Sequence, residues 1–184
     1  MNRQKVLRIS VPVIILLIIL GIWSVKNYVG SNTDSVLPSE SGAPSLTEEE
    51  KADFVLDAEA LDMDKLTSYG LPIVIDFGAD WCGPCKQFAP VFDAMHDEML
   101  SKAIFKYVDV DKHSEIASDY PVSVIPTQVF INPDGTPYVP SKDLGIEFKT
   151  YSDKESGKTA FTVHEGGLTE TELRDILADM GVSK

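Results

Sequence analysis

The sequence is poor in cysteine, has no excess of glycine or proline, and carries few basic residues for its many acids. Only Cys82 and Cys85 are present among 184 residues, which excludes a disulfide-stapled small fold and a four-cysteine zinc site. Twelve glycines and eleven prolines exclude a fibrous or repetitive chain. A net charge of −13 opposes nucleic acid as a ligand, because binding a phosphate backbone requires a basic face. Hydrophobic residues make up 43%, which allows a globular core.

The basic residues that are present cluster at the N-terminus. Residues 1–26 contain no acid and four basic residues: Arg3, Lys5, Arg8 and Lys26. The rest of the chain therefore holds 12 basic and 29 acidic residues, a net charge of −17. Residues 9–25 carry no charge and as a helix would span about 25 Å, close to a bilayer core of roughly 30 Å. We predict a cytoplasmic segment at 1–8, one transmembrane helix at 9–26, and the remainder outside the cytoplasm.

A cleavable signal peptide also combines a basic start with an apolar run. Its cleavage site requires small residues shortly before the cut, and no Ala-x-Ala follows the run. No cysteine follows it either, which excludes a lipid-modified N-terminus. We favour an uncleaved anchor in the cell membrane and keep secretion after signal cleavage as the alternative.

Residues 27–47 are predicted to form a flexible tether, and residues 48–184 a folded domain. The stretch from 31 to 50 contains five serines, two prolines and five acids, a composition that cannot bury enough apolar surface to fold. Beyond it, the pattern predicts strands at 54–56, 71–77, 103–110, 127–131, 145–151 and 159–164, and helices at 58–68, 85–101, 113–120 and from 168 onward. Strands interleaved with helices are typical of an α/β sandwich with a mixed sheet.

The chemistry is concentrated in Cys82-Gly83-Pro84-Cys85, which follows a buried strand and opens a predicted helix. A cysteine at a helix N-terminus has its thiolate stabilised by the helix dipole and by unpaired backbone N–H groups. Such a thiolate attacks disulfides at neutral pH, and a second cysteine one turn further on can resolve the mixed disulfide. A zinc site, a purely structural disulfide and a single-cysteine nucleophile are the alternatives, and the zinc site lacks two further ligands at suitable spacing.

Two segments resemble thioredoxin. Residues 73–86 read Ile-Val-Ile-Asp-Phe-Gly-Ala-Asp-Trp-Cys-Gly-Pro-Cys-Lys, which is similar to the active-site strand, loop and helix of that family. Val124-Ile125-Pro126-Thr127 resembles the loop whose cis-proline faces the cysteines. The resemblance covers roughly residues 52–184. It implies a thioredoxin-like three-layer α/β sandwich with a mixed central sheet, preceded here by the N-terminal transmembrane helix.

The resemblance also implies roles for individual residues. Cys82 would be the nucleophile and the more exposed thiol, and Cys85 the buried resolving thiol. Asp76 matches the family's buried carboxylate, which accepts the proton of the resolving thiol. The alternative for Asp76 is a hydrogen-bonded acid at a strand end, although an acid within an apolar strand is costly without a role. The implied substrate-binding positions are Trp81, Gly83, Pro84, Ile125 and Pro126. The dithiol itself does the chemistry, so no cofactor or metal is expected.

Three departures from the family pattern stand out. Gly78 occupies a position where thioredoxins usually have an aromatic residue, which predicts a more open surface beside Cys82. The family's common lysine near the buried acid aligns with Tyr107, next to Lys106. The stretch around 138–162 is longer than the compact family needs and is predicted to be an insertion with an added β element.

The function that follows is thiol–disulfide exchange outside the cytoplasm. The Gly-Pro pair between the cysteines and Ile125 before the proline resemble reducing thioredoxins. The resemblance to tethered members implies a membrane thiol electron donor and oxidised extracytoplasmic proteins as substrates. We predict a monomeric reductase. The alternatives are a tethered adaptor or holdase that binds partners without redox turnover, and an oxidase or isomerase that runs in the opposite direction.

Overall fold

A computed structural model of the chain describes residues 52–183. The predictions for the cytoplasmic segment, the transmembrane helix and the tether lie outside the described residues. None of the helices within residues 52–183 is long and apolar enough to cross a membrane.

The described residues form a five-stranded sheet with helices on both faces. In chain order the elements are α1 (Met63–Ser68), β1 (Ile73–Gly78), α2 (Gly83–Glu98), β2 (Ile104–Asp109), α3 (Ser114–Ser118), β3 (Thr127–Ile131), β4 (Lys149–Ser152), β5 (Thr159–Glu165) and α4 (Glu170–Asp179). The strand order is β2-β1-β3-β5-β4. Strand β1 runs parallel to β2 and antiparallel to β3, so the sheet is mixed, as predicted.

Strand β1 divides its side chains between two cores because successive residues of a strand point to opposite faces. Ile73, Ile75 and Phe77 lie in the core that α1 and α3 cover. Val74 lies in the other core, which α2 and α4 cover. Asp76 shares the face of Val74 by the same alternation. The three-layer α/β sandwich is thereby confirmed, and Asp76 lies on the side of helix α2.

Helix α2 begins two residues earlier than the sequence predicts. Cys82 is its N-cap, because the Cys82 sulfur accepts a hydrogen bond from the backbone N–H of Cys85. Pro84 occupies the first turn, where a proline removes no intrahelical hydrogen bond. The buried face consists of Cys85, Phe88, Phe92 and Met95. This cap places both cysteines at the positive end of the helix.

The strand predicted at 54–56 is wrong. Residues 52 and 53 are helical, and the segment pairs with β2 only through an isolated parallel bridge between Asp57 and Tyr107. The side chain of Phe54 is buried, and the Lys106 ammonium donates to the carbonyl of Val55 over 2.7 Å. The backbone N–H of Ala58 donates to the carbonyl of Tyr107, and the N–H of Tyr107 donates to the carbonyl of Leu56. A single bridge, a buried ring and a side-chain hydrogen bond therefore hold this edge where a strand ladder was expected. Helix α1 starts at Met63, later than predicted, because the Asp62 side chain caps it.

The predicted hairpin of the C-terminal half forms, with a shorter first strand. Strand β4 pairs antiparallel with β5 and is the outermost strand of the sheet. The chain before β4 is anchored by Tyr138, whose ring is fully buried and whose hydroxyl donates to Asp179 over 2.7 Å. Phe148 packs against the Tyr138 ring. Tyr138 and Phe148 therefore attach this segment to the core, while residues 152–158 are exposed.

The last helix begins with a capping box. The side chain of Thr169 accepts from the backbone N–H of Glu172, and the Glu172 carboxylate accepts from the backbone N–H of Thr169. Helix α4 is thereby fixed at its N-terminus, directly after β5.

Candidate active site

The two cysteines are joined by a disulfide bond at the start of α2. The backbone N–H of Cys85 donates to the Cys82 sulfur over 3.1 Å. When the pair is reduced, this donor and the helix dipole both stabilise negative charge at Cys82. The local geometry thus supports the predicted nucleophile, which lies one helical turn before its resolving partner.

In the disulfide form the two cysteines are buried to a similar extent, and the predicted difference in exposure between the reduced thiols stays a prediction. Cys82 is 4% exposed and Cys85 is 6% exposed. The two form one small cluster with Ala79, against which Val110 and Ile125 pack. The disulfide bond holds both sulfurs under the same neighbouring side chains, so the two cysteines do not differ in burial in this state.

The proline loop faces the cysteines as predicted. The Ile125–Pro126 peptide bond is cis, and the Ile125 carbonyl oxygen lies 3.6 Å from the Cys82 sulfur. The loop is held in place because the carbonyl of Pro126 accepts a hydrogen bond from the N–H of Gly166 over 2.8 Å. A backbone held this close to the nucleophile is suited to pairing with the chain of a substrate.

Trp81 projects from the loop before the cysteines and is 69% exposed. Its indole N–H donates to Asp111 over 2.6 Å. Beside it, the Lys112 ammonium lies 2.8 Å from Asp109 and 3.3 Å from Asp80. The turn after β2 is therefore hydrogen-bonded and ion-paired to the active-site loop. Sequence reasoning missed this turn, and its only signal was the closely spaced charged residues Asp109, Asp111 and Lys112.

An apolar recess of about 520 Å³ lies beside the cysteines. Its lining is Trp81, Val110, Ala117, Ser118, Val122, Ser123, Val124 and Ile125. Gly83 and Pro84, the other predicted substrate-binding positions, are exposed at the first turn of α2. The recess and the exposed turn offer a surface for apolar side chains next to the disulfide.

Asp76 lies in the middle of β1 and is 3% exposed. Burial raises the pKa of Asp76 to about 7, against a smaller opposing effect of a hydrogen bond from Gln128. Asp76 and Cys85 both line a second cavity of about 570 Å³, together with Tyr107. An acid with a pKa near neutrality that lines the same cavity as the resolving cysteine can exchange protons at physiological pH.

Gln128 is the residue of this site that sequence reasoning missed. It stands opposite Asp76 in the β1–β3 ladder, and its amide N–H donates to an Asp76 carboxylate oxygen over 2.7 Å. A polar residue in the otherwise apolar Val129-Phe130-Ile131 strand was a signal. Its partner could not be identified without the strand register.

The predicted open surface at Gly78 is wrong. A Cβ atom at Gly78 would lie 2.9 Å from Cε2 of Tyr107 and 3.1 Å from its hydroxyl oxygen. The aromatic ring that the family places on β1 is thus replaced by one from β2. Burial raises the pKa of Tyr107 to about 12, so its phenol stays neutral.

Lys106 lies on the opposite face of the sheet, and its ammonium donates a hydrogen bond to the carbonyl of Val55, away from Asp76.

We expect Gly78→Ala to lower the free energy of unfolding by about 1–2 kcal/mol, because the new methyl group overlaps the Tyr107 ring. Urea unfolding measures the change. In a Tyr107→Ala background the same substitution should have no such cost. The matched control is Gly83→Ala, because a Cβ atom at Gly83 meets nothing within 4 Å. An equal loss at both glycines would contradict the overlap.

A disulfide capping a helix after a central strand, opposite a cis-proline loop, defines a thiol–disulfide oxidoreductase. The family model for thioredoxin matches residues 58–143. The chain is 41% identical over 99 residues to a thioredoxin of Borreliella burgdorferi, a match covering 53% of this chain and 82% of that protein. It is 41% identical over 75 residues to Thioredoxin H4 of Arabidopsis thaliana, covering 41% of this chain and 63% of that protein.

The solved structure of a mutant thioredoxin from Halobacterium salinarum is similar in fold. The TM-score is 0.50 at 25% identity, and the match covers 70% of this chain and 91% of that one. The chain belongs to the thioredoxin family. Its redox group is the Cys82–Cys85 pair, and its substrates are proteins that carry disulfides.

Proposed function

We propose that this thioredoxin is a monomeric, membrane-anchored reductase of disulfides in extracytoplasmic proteins. The observation that carries its chemistry is the Cys82–Cys85 pair at the start of α2, with the buried Asp76 lining the same cavity as Cys85. The anchor is supported by the uncharged run of residues 9–25 between basic residues. Arg3, Lys5 and Arg8 before this run outnumber the basic residues directly after it, which favours a cytoplasmic N-terminus by the positive-inside bias.

The reaction proceeds in two exchange steps. The Cys82 thiolate attacks one sulfur of the substrate disulfide, and the other substrate sulfur leaves as a thiolate and takes up a proton. Asp76 then accepts the proton of Cys85, and the Cys85 thiolate attacks the Cys82 sulfur. The second substrate sulfur leaves, the Cys82–Cys85 disulfide forms, and two electrons have passed to the substrate.

Substrate binding is assigned to the apolar recess and the proline loop. Trp81 and Val124 present exposed apolar surface, while the Ile125 carbonyl oxygen lies within 3.6 Å of the Cys82 sulfur. An extended segment of a substrate can place its cystine sulfur at Cys82 and its neighbouring apolar side chain in the recess. Gly83 and Pro84 are exposed next to Cys82 and add to the surface that a substrate can contact.

Reduction as the direction is supported by the Gly83-Pro84 pair and by Ile125, which resemble reducing members of the family. A reductase keeps its own disulfide comparatively stable, so the reduced pair gives up electrons readily. Outside the cytoplasm the pair must be reduced again after each turnover. We propose a membrane thiol protein as that electron donor.

The direction is tested by equilibrating the full-length protein with glutathione buffers. We expect a reduction potential below about −230 mV, close to the reducing thioredoxins and far from strong oxidants near about −120 mV. The Cys85→Ser variant, which cannot form the internal disulfide, corrects for mixed disulfides with glutathione. A potential above about −150 mV would place the protein with the oxidants and overturn the proposed direction.

The location is tested by a reporter fused after Lys184 that is active only outside the cytoplasm. We expect reporter activity together with retention of the fusion in the membrane fraction. An active reporter in the medium would support cleavage and secretion, and an inactive reporter would place the domain in the cytoplasm.

A further inference from the structure

The two exchange steps described above do not use the hydrogen bond between Gln128 and Asp76. Both side chains are buried in the sheet, on β3 and β1, and they face each other directly in the ladder. The Gln128 amide nitrogen is 2.7 Å from an Asp76 carboxylate oxygen. Within residues 52–183 this is the only side-chain hydrogen bond that Asp76 receives.

The other end of the Gln128 amide is unsatisfied. Its Oε1 atom is buried and has no hydrogen-bond partner within residues 52–183. An unpaired buried polar atom destabilises the fold, and a leucine of similar volume would fill the site without that cost. Among the described residues the Gln128 side chain makes one hydrogen bond, and it goes to Asp76.

We propose that Gln128 is a positioning residue that holds the Asp76 carboxylate ready to accept the proton of Cys85. The inference rests on the proposed role of Asp76 in the second exchange step. An N–H donor stabilises the ionised carboxylate and fixes its orientation. A proton can then pass from the Cys85 thiol to Asp76 as the thiolate attacks the Cys82 sulfur, and the bond from Cys82 to the substrate breaks.

Other groups around Asp76 do not supply this donor. Tyr107 faces Asp76 from β2, and its hydroxyl packs over Gly78. His164 stands opposite Gln128 on β5, and its Nδ1 atom is bonded to the carbonyl of Glu147 over 2.8 Å.

Charged groups at the cavity that contains Asp76 do not bond to it either. The acids Asp57, Asp80, Asp93 and Asp97 line that cavity, as do Lys86 and His96. These groups are unchanged by a substitution at Gln128, so a comparison of variants isolates the amide.

The test uses the full-length chain in detergent micelles with Gln128→Leu, and Gln128→Met as a second variant of similar volume. Carboxyl ¹³C NMR of the reduced protein measures the pKa of Asp76. Stopped-flow reaction with 5,5′-dithiobis(2-nitrobenzoate) separates attack by Cys82 from resolution by Cys85 in two releases of thionitrobenzoate. Both measurements are repeated across pH.

We expect Gln128→Leu to raise the pKa of Asp76 by about one unit, since hydrogen bonds to charged groups are worth roughly that much. The pH midpoint of the second release should move upward by the same amount, and the first release should not change. Thr162→Val is the matched control. It removes the Thr162 hydroxyl on β5, which like Gln128 Oε1 is a buried polar atom without a hydrogen-bond partner among the described residues, and it should move neither midpoint.

The result that would overturn the inference is an unchanged Asp76 pKa and an unchanged second release in both Gln128 variants. The role of Asp76 is tested separately by Asp76→Asn, which should slow the second release. If Asp76→Asn slows that release and the Gln128 variants do not, Asp76 keeps its role and Gln128 loses its own. If Asp76→Asn has no effect, the proposed role of Asp76 fails and the inference fails with it.

Discussion

Asp76→Asn is expected to raise the free energy of unfolding of the disulfide form by roughly 4 kcal/mol above pH 7. Burial raises the pKa of Asp76 from 3.8 to about 7 in the folded protein. Each of these roughly three units corresponds to about 1.4 kcal/mol of preference for the neutral acid. Asparagine is neutral at every pH and can still accept the hydrogen bond from Gln128, so it removes the cost of ionising a buried carboxylate.

Because the pKa of Asp76 is raised in the folded protein, the stability of the protein depends on pH. The unfolded chain loses the Asp76 proton near pH 4, whereas the folded chain keeps it to about pH 7. Stability associated with Asp76 is therefore fully present below about pH 4 and is lost as the pH rises through about 7. The advantage of the Asn variant should grow across that window.

Urea unfolding of the oxidised protein at pH 4, 5.5 and 8 measures the difference. Asp175→Asn, the same substitution at an exposed site on α4, is the matched control and should change stability by less than about 0.5 kcal/mol. An advantage of Asp76→Asn that is equal at all three pH values would show that the pKa of Asp76 is the same in the folded and unfolded states, so that burial does not raise it.

Cys82→Ser is expected to lower the rate of insulin disulfide reduction at least roughly 1000-fold. A serine hydroxyl at pH 7 supplies no thiolate to attack sulfur. Cys85, the other cysteine of the chain, does not lie at the N-cap of α2 and does not replace Cys82. Cys85→Ser is the matched variant. It should keep the first attack and accumulate a mixed disulfide between Cys82 and the substrate, because no thiol remains to resolve it.

Non-reducing gels after acid quenching show the mixed disulfide, and thiol titration follows turnover. Accumulation of the adduct in Cys82→Ser with loss of attack in Cys85→Ser would reverse the two roles. In cells, a Cys82→Ser protein that fully replaces the wild type would favour an adaptor that binds partners without redox turnover.

The reactive cysteine pair was predictable because its signals are local. Cys82 and Cys85 are separated by one helical turn, and both Pro84 and the end of a buried strand indicate where that turn begins. The capping box of Thr169 and Glu172 is equally local. Resemblance to the family added the cis bond at Pro126, which neither spacing nor periodicity indicates.

The surroundings of Asp76 were decided by the tertiary structure. Gln128 is 52 positions away in sequence, and only the register of β1 against β3 places the two side chains together. Tyr107 covers Gly78 because β2 lies parallel to β1 at one particular register. The departure from the family pattern at Gly78 had predicted a more open surface there.

The sequence by itself determined the reaction, since a thiolate at a helix start needs only neighbouring residues to be recognised. It also determined the alternation of strands and helices, because periodicity of burial extends over a few residues. The tertiary structure alone decided which groups tune Asp76 and hold Trp81. A side chain on one strand meets a particular partner only after pairing has set the register, and a shift of one residue turns every side chain to the opposite face.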